Sequence, residues 1–190
     1  MARGGRREGA GRKPVARRSG VAHRARERFE RTVPAIVTIR MAKTVYNLRS
    51  QRSFNVLKRA LSGGRNRFGT RIIHFSVQGN HLHLIVESPD EGSLSRAMKG
   101  LGVRVARRMN EMMDREGRVI GDRYHASLLR SHRAARNAVR YVRENHRKHF
   151  APKDGWRKGT STDAFSSWAN TISLPAPETT FLKWVEGPAP

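Results

Sequence analysis

The sequence predicts an α+β domain flanked by two less regular segments. Between residues 32 and 150, β-rich runs and helical patterns follow one another in the order strand, helix, strand, strand, helix, strand, helix. Residues 1–31 are rich in Arg and Gly and contain few large apolar side chains, so they cannot bury a core. We expect a basic flexible arm at 1–31, one domain at 32–150, and a tail at 151–190 that is partly packed or disordered.

The first two predicted elements are a strand and a helix. Residues 36–41 are mostly β-branched and apolar, which favours a strand. Residues 52–61 place apolar side chains at steps of three and four, which is the helical spacing. Gly63 and Gly64 follow and are expected to end this helix.

The next predicted elements are a hairpin and the longest helix. Residues 72–77 and 81–87 are β-rich and are separated by the short turn 78–80, which predicts two antiparallel strands. Ser93 is predicted to cap a helix that runs to about residue 113. The apolar stripe of this helix consists of Leu94, Met98, Leu101, Val105, Met109 and Met112.

The last two elements complete a recognisable order. Residues 125–129 predict a fourth strand, and residues 133–148 predict a final helix. Strand, helix and strand repeated twice is the split βαβ, or ferredoxin-like, arrangement, in which helices cover one face of an antiparallel sheet. The final helix is then an added C-terminal element.

The charge of the chain indicates its partner. The formal net charge is +24, and such an excess of Lys and Arg predicts a polyanion, most simply nucleic acid. We expect no membrane partner, because no stretch has the apolar length needed to span a bilayer. The chain has no cysteine, which excludes thiolate zinc sites and is compatible with a cytoplasmic location.

Basic residues concentrate in three places that are candidates for nucleic-acid binding. They are Arg12, Lys13, Arg17 and Arg18 in the arm, Lys99, Arg104, Arg107 and Arg108 on the long helix, and Arg133, Arg136, Arg140, Arg143 and Arg147 on the final helix. A row of arginines at helical spacing can follow a phosphate backbone. The alternatives are a solubilising arm and solvated helix faces. In the tail, Trp156, Trp168, Phe181 and Trp184 predict some packing on the domain or a partner.

The pair His81 and His83 is the candidate chemical site. Side chains alternate along a strand, so both imidazoles project from one face and could hold one metal ion. The apolar run 84–86 after them is typical of a central strand, which would hold the two rings rigidly. The alternative is a pair of histidines that face solvent on a half-exposed strand.

Five patches in order resemble the HUH single-strand transposases, in particular the REP-associated tyrosine transposase-like group of those that use one tyrosine. The patches are residues 79–87, 94–98, 107–110, 121–124 and 140–142, and the resemblance runs from Phe68 to Asn145. It implies binding of single-stranded or hairpin DNA, a possible homodimer and a nucleoid-associated cytoplasmic location. It also implies a divalent ion, Mg or Mn, held by the two histidines and a third polar group, with Asn110 as the candidate. A tyrosine on the long helix would attack the scissile phosphate.

The chain departs from this pattern at the expected nucleophile. The alignment places Val105 at the tyrosine position, and valine has no nucleophilic group. The sequence therefore leaves two hypotheses: a transposase that uses a relocated nucleophile such as Tyr124 or an activated water, or a domesticated, catalytically inactive DNA-binding protein. A phosphoesterase unrelated to the family is a third, weaker alternative.

Overall fold

The computed structural model of the chain describes residues 27–150, 162–169 and 172–187. Its strands are β1 (Val33–Arg40), β2 (Asn66–Arg67), β3 (Thr70–Val77), β4 (His81–Ser88) and β5 (His125–Leu128). Its helices are α1 (Gln51–Gly64), α2 (Glu91–Met112), α3 (His132–Phe150) and α4 (Thr180–Glu186), with a 3-10 turn at Ser167–Ala169. None of the described helices is long and apolar enough to cross a bilayer.

The five strands form one antiparallel sheet in the order β2-β3-β4-β1-β5. The predicted hairpin is confirmed, because Val77 pairs with Leu82 and Ser76 with His83 across the turn. β4 lies between β3 and β1, so the strand that carries the histidine pair is central. This order is that of the split βαβ fold, and the predicted fold class is confirmed.

Helices α1 and α2 cover one face of the sheet, which we call the first face. Leu82, Leu84 and Val86 of β4 alternate with the histidines and pack there against apolar side chains of both helices. Ser50 caps α1 by accepting a hydrogen bond from the backbone N–H of Ser53. Helix α1 runs through Gly63 and Gly64, which were expected to follow it, and its C-cap is Arg65.

The cap of α2 differs from the prediction. Asp90, and not Ser93, is the N-cap: its Oδ1 accepts from the Ser93 N–H at 2.7 Å and its Oδ2 from the Ser93 hydroxyl at 2.6 Å. Ser93 is thus the third helical residue, where it serves as a donor to the cap. The side-chain and backbone hydrogen bonds from Ser93 hold the pKa of the Asp90 carboxyl below its usual value.

The added helix α3 covers the opposite, second face of the sheet together with α4. Ile73 of β3 and Ile85 of β4 pack there against Ala135, Val139 and Val142 of α3 and Leu182 of α4 in a separate core cluster. His81 and His83 have the same strand parity as Ile85, so they also project from the second face. The order of the elements did not predict this placement of α3.

The segment 162–169 lies along the outer edge of β3. The Val77 N–H donates to the Phe165 carbonyl at 2.9 Å, and the imidazole of His74 stacks on Trp168 with 4.3 Å between ring centroids. The guanidinium of Arg49 donates to both oxygens of the buried Asp163 carboxylate at 2.7 and 2.9 Å. This part of the predicted tail therefore packs on the domain and covers a strand edge that would otherwise be open.

Glu87 at the end of β4 anchors the start of α4. Its side chain is buried, and its carboxylate accepts from the N–H of Glu178 at 2.9 Å and from the N–H and hydroxyl of Thr179 at 2.8 and 2.6 Å. A negative charge beside the first N–H groups of a helix also interacts favourably with the helix dipole. The polar end of β4 thus holds the C-terminal helix against the second face.

We predict that Glu87→Gln loosens this anchor. The amide cannot accept from all three donors and places its own NH₂ against one of them, which we expect to cost about 3 kcal/mol. Limited proteolysis with mass spectrometry should then show cleavage within residues 172–187 about a hundredfold faster than in the wild type. The control is Glu178→Gln, because that side chain is largely exposed and its removal should change the rate little. Equal rates for Glu87→Gln and the wild type would contradict the anchoring role.

Candidate active site

The histidine pair sits in a polar patch on the second face of the sheet. Thr38 of β1 and Ser76 of β3 lie directly opposite His83, one on each side. The His83 ring is almost fully buried, at 4 % exposure, whereas His81 is half-buried. Because neighbouring strands fix the backbone on both sides of β4, the two imidazoles are held in a defined mutual orientation.

The outer nitrogens of both imidazoles have hydrogen-bond partners, while the inner ones face each other. His83 Nδ1 lies 3.0 Å from the Thr38 hydroxyl, and His81 Nδ1 lies 2.8 Å from Asn80 Oδ1. The two Nε2 atoms are 3.0 Å apart. When Nδ1 of His81 donates to this amide oxygen, its Nε2 presents a lone pair. A proton on His83 Nε2 would bridge the two nitrogens, and a metal ion would replace that proton.

Tyr141 of α3 stands over this pair. Its hydroxyl lies 3.3 Å from His83 Nε2, and the two rings meet edge to face with 5.0 Å between centroids. The Tyr141 side chain is 39 % exposed, so the phenol is accessible from solvent while its oxygen faces the histidines. A phenol oxygen that is both accessible and beside a metal-ligating type of side chain is a candidate nucleophile.

Asn145 lies one helical turn after Tyr141 on the same side of α3. It is 2 % exposed, and its Nδ2 has no hydrogen-bond partner among the described residues. A buried amide nitrogen without a partner is uncommon and needs a specific explanation. Rotation about the Cβ–Cγ bond exchanges its nitrogen for its oxygen, so Asn145 can present an oxygen ligand from this position.

The two histidines have the spacing of a pair of ligands to one divalent ion. No group of three or more His, Asp or Glu side chains that could hold a metal ion occurs in the part of the chain that the structure describes. The 3.0 Å between the two Nε2 atoms is the distance expected between adjacent ligands of an octahedral ion with bonds of about 2.1 Å. Imidazole nitrogens suit Zn, Cu, Fe and Ni, whereas an amide oxygen suits Mg and Mn, so this mixed set of ligands fits a divalent ion without selecting one metal.

The other residues predicted for the site lie elsewhere. Val105 is fully buried in the core between α2 and the first face, where it continues the apolar stripe of that helix. Tyr124 packs on the same core, and its hydroxyl is buried. Asn110, near the end of α2, donates from Nδ2 to the Gly117 carbonyl at 2.9 Å. All three belong to the first face, so the sheet separates them from the histidines.

The predicted nucleic-acid-binding residues form two separate surfaces. Arg133, Arg136, Arg140 and Arg143 are exposed along α3, on the second face with Tyr141. Lys99, Arg107 and Arg108 are exposed and Arg104 is half-buried along α2, on the first face. Arg12, Lys13, Arg17 and Arg18 lie outside the described residues, as does the side chain of Arg147.

Thr38 is expected to act on metal binding through His83. When an ion occupies Nε2, the proton of His83 sits on Nδ1 and needs an acceptor, which the Thr38 oxygen supplies. We predict that Thr38→Val, which keeps the shape and removes the hydroxyl, lowers the affinity for Mn about 10- to 100-fold in a calorimetric titration. Thr38→Ser is the matched control and should stay near the wild-type affinity. Equal affinities for the Val and Ser variants would show that the hydroxyl does not orient the ligand.

Comparisons with known proteins give one family match and two similar solved structures. The model of the family described as "Transposase IS200 like" matches residues 35–145. The structure of a REP-associated tyrosine transposase bound to a REP hairpin is similar with a TM-score of 0.57 and 15 % identity, over 70 % of this chain and 77 % of that one. A chain from Deinococcus radiodurans, provisionally described as a transposase, gives a TM-score of 0.45 and 17 % identity, over 65 % and 97 %. No curated protein matches the chain.

Fold and site define an α+β protein that presents two histidines and a tyrosine on one face of an antiparallel sheet. The family match covers more than half of the sequence, and the chain belongs to the IS200-like transposase family. The resemblance predicted from the five sequence patches is thereby confirmed. Transposase function and DNA binding are the broad class that this membership supports.

Proposed function

We propose that this protein cuts and rejoins single-stranded DNA and that Tyr141 is its nucleophile. The observation that carries the proposal is the 3.3 Å distance between the Tyr141 hydroxyl and His83 Nε2. This contact supplies the tyrosine that the sequence alignment did not find on the long helix. It favours a catalytically competent protein over a domesticated DNA-binding protein without activity.

The residues that would hold a divalent ion are His81, His83 and Asn145. When bound there, Mg or Mn would supply Lewis-acid polarisation of the scissile phosphate. Asn80 and Thr38 keep the Nδ1 atoms of the two histidines occupied, so that both Nε2 lone pairs are available to a ligand. The central position of β4 preserves this arrangement between turnovers.

Tyr141 carries the covalent step. A bond forms between its phenol oxygen and the phosphorus, and the bond from phosphorus to the 3′ oxygen of the preceding nucleotide breaks. The phenol proton is released to water, and the leaving 3′ oxygen takes up a proton to become a hydroxyl. The product joins Tyr141 to the 5′ phosphate through a phosphodiester, so a later 3′ hydroxyl can reverse the step without an energy source.

The substrate is DNA that presents an unpaired strand beside a hairpin. The structurally similar REP-associated tyrosine transposase was solved with a REP hairpin, which supports this substrate class. The exposed arginines of α3 place positive charge on the same helix as Tyr141, where they can hold phosphates next to the nucleophile. We further expect a homodimer and association with the nucleoid, as the family resemblance implies.

The test exploits the covalent product. The full chain is incubated with Mn and a library of labelled oligonucleotides, each a stable hairpin with randomised single-stranded flanks. Protein that retains label after denaturation is recovered, its DNA is sequenced, and its peptides are mapped by mass spectrometry. We expect the DNA to be attached to the peptide that contains Tyr141. Cleavage without attached DNA, or attachment to Tyr124, would contradict the proposal.

A further inference from the structure

Arg104 on the first face has no carboxylate within ion-pair distance among the residues that the structure describes. Its Nε and Nη2 atoms are buried, and neither has a hydrogen-bond partner in that part of the chain. Its guanidinium lies against the last residue of α1: a Cβ on Gly64 would stand 2.8 Å from Nη2. Removing part of a charged guanidinium from water is unfavourable unless an anion lies nearby.

Two further arginines add to the positive charge at this place. Burial, and then repulsion by Arg67 and Arg108, lowers the pKa of the Arg104 guanidinium. Arg67 and Arg108 are both exposed. Arg67 and Arg108 therefore place two further positive charges near the Arg104 guanidinium, and one bound phosphate would interact favourably with all three. The cluster therefore has the charge of an anion site.

An exposed aromatic ring lies beside this cluster. Phe68, in the turn between β2 and β3, is 54 % exposed and has a φ of 55°, a backbone conformation that phenylalanine rarely adopts. The Arg96 guanidinium stands 5.9 Å from the centre of its ring. A Cβ on Gly100 would lie 3.8 Å from both the Phe68 ring and Arg104 Nη2, so the ring and the cluster are adjacent. A strained backbone conformation at an exposed aromatic residue such as Phe68 suggests that the position has a function.

We propose that Arg67, Arg104, Arg108 and Phe68 form a second DNA subsite, which holds one phosphate and stacks one unpaired base. Aromatic rings beside arginines are the means by which proteins bind single strands without sequence preference. Thr70, two residues after Phe68, forms a side-chain hydrogen bond with Ser88, and Ser88 is at the opposite end of β4 from His81. The subsite therefore lies about 20 Å from the histidines, and it is on the other face of the sheet. It would therefore hold a flanking segment and not the scissile phosphate. This inference rests on the proposed DNA function.

The test measures equilibrium binding by fluorescence anisotropy with two probes: a labelled oligo-dT of about 12 nucleotides and a blunt-ended hairpin that has a short loop and no single-stranded flank. We expect Phe68→Ala to weaken oligo-dT binding about tenfold and to leave hairpin binding within about twofold. Phe68→Trp should bind as the wild type does and show additional quenching of tryptophan fluorescence by the oligonucleotide. Phe68→Gly should bind as weakly as Phe68→Ala while melting no lower than the wild type, because glycine adopts a positive φ without strain.

The phosphate part is tested by two matched pairs of variants. Arg104→Met should weaken oligo-dT binding and reduce the slope of log K against log salt by about 0.7, whereas Arg59→Met, which removes an exposed charge from α1, should weaken it less. Gly64→Ala displaces the Arg104 guanidinium without changing any charge, while Gly63→Ala makes only an ordinary contact. We expect Gly64→Ala to bind oligo-dT several-fold more weakly than the wild type, and Gly63→Ala to bind it as the wild type does.

The outcomes separate this subsite from the proposed function. Wild-type affinity for oligo-dT in Phe68→Ala, or equal effects of Arg104→Met and Arg59→Met, would overturn the subsite while leaving strand cleavage at Tyr141 untouched. A wild-type protein that binds neither probe would instead overturn the DNA function on which the subsite rests. Loss of hairpin and oligo-dT binding to the same degree in Phe68→Ala would show that the ring does not stack on an unpaired base.

Discussion

Tyr141→Phe is expected to abolish the covalent protein–DNA adduct and to slow strand cleavage by at least about a thousandfold. The substitution removes only the oxygen that faces His83 Nε2 and keeps the ring that packs edge to face on the same histidine. Histidine geometry, metal affinity and DNA affinity should therefore stay close to those of the wild type. Single-turnover cleavage of a labelled hairpin substrate, resolved on denaturing gels, measures both the adduct and the rate.

The other tyrosines provide matched controls for the loss of one phenol oxygen. Tyr124→Phe should cleave normally, because Tyr124 belongs to the first-face core and its hydroxyl is buried there. Tyr46→Phe removes the remaining phenol, which is exposed, and should also cleave normally. An adduct that persists in Tyr141→Phe and disappears in either control would assign the nucleophile to that other tyrosine.

The sequence located one half of the site because strand geometry is local. Alternation along a strand places His81 and His83 on one side whatever the rest of the fold does. The other half depends on which face of the sheet each helix covers, and helical periodicity does not contain that information. The apolar stripe of α2 correctly predicted that Val105 lies in the core. The alignment with family members instead placed Val105 at the position of the nucleophilic tyrosine.

A signal for the missing half was nevertheless present in the sequence. Tyr141 and Asn145 are four residues apart in a helix whose apolar side is made by Ala138, Val139 and Val142. Two polar side chains that lie one turn apart beside such an apolar stripe are expected at the margin of the surface on which the helix packs. That spacing, combined with a histidine pair on a central strand, would have favoured α3 over α2 as the helix that completes the site.

The fold itself followed from sequence where elements are long and periodic. β1, β3, β4, α1, α2 and α3 were all predicted in the correct order. The two-residue strand β2 and the seven-residue helix α4 are too short to show a period. The contact between Arg49 and Asp163 joins residues 114 positions apart, so no local pattern could predict it. Aromatic content predicted packing on the domain or on a partner, and Trp168 and Phe181 do lie against the second-face cluster. Trp184 is exposed, and Trp156 lies outside the described residues.

Removing both imidazoles is the second large expected effect. The double variant His81→Ala with His83→Ala should lose measurable Mn binding and cleave at least about a thousandfold more slowly, because no nitrogen ligand remains on β4. Its affinity for hairpin DNA should fall no more than about threefold, since arginine contacts to phosphate supply most of the binding energy. Titration calorimetry with Mn and anisotropy with labelled hairpin measure the two quantities separately. Chelation of divalent ions should reproduce the loss of cleavage in the wild type.

His125→Ala is the matched control for this variant. His125 stands on β5 directly opposite Thr38, so it shares the second face, but its side chain is exposed and β1 separates it from β4. The His125→Ala variant should bind Mn and cleave as the wild type does.

Asn145→Ala should have an effect between those of His125→Ala and the double histidine variant. We expect weakened Mn binding and slowed cleavage, because one oxygen ligand is lost while both nitrogen ligands remain. Loss of DNA binding by a folded double variant would show instead that the histidines hold the DNA and not an ion.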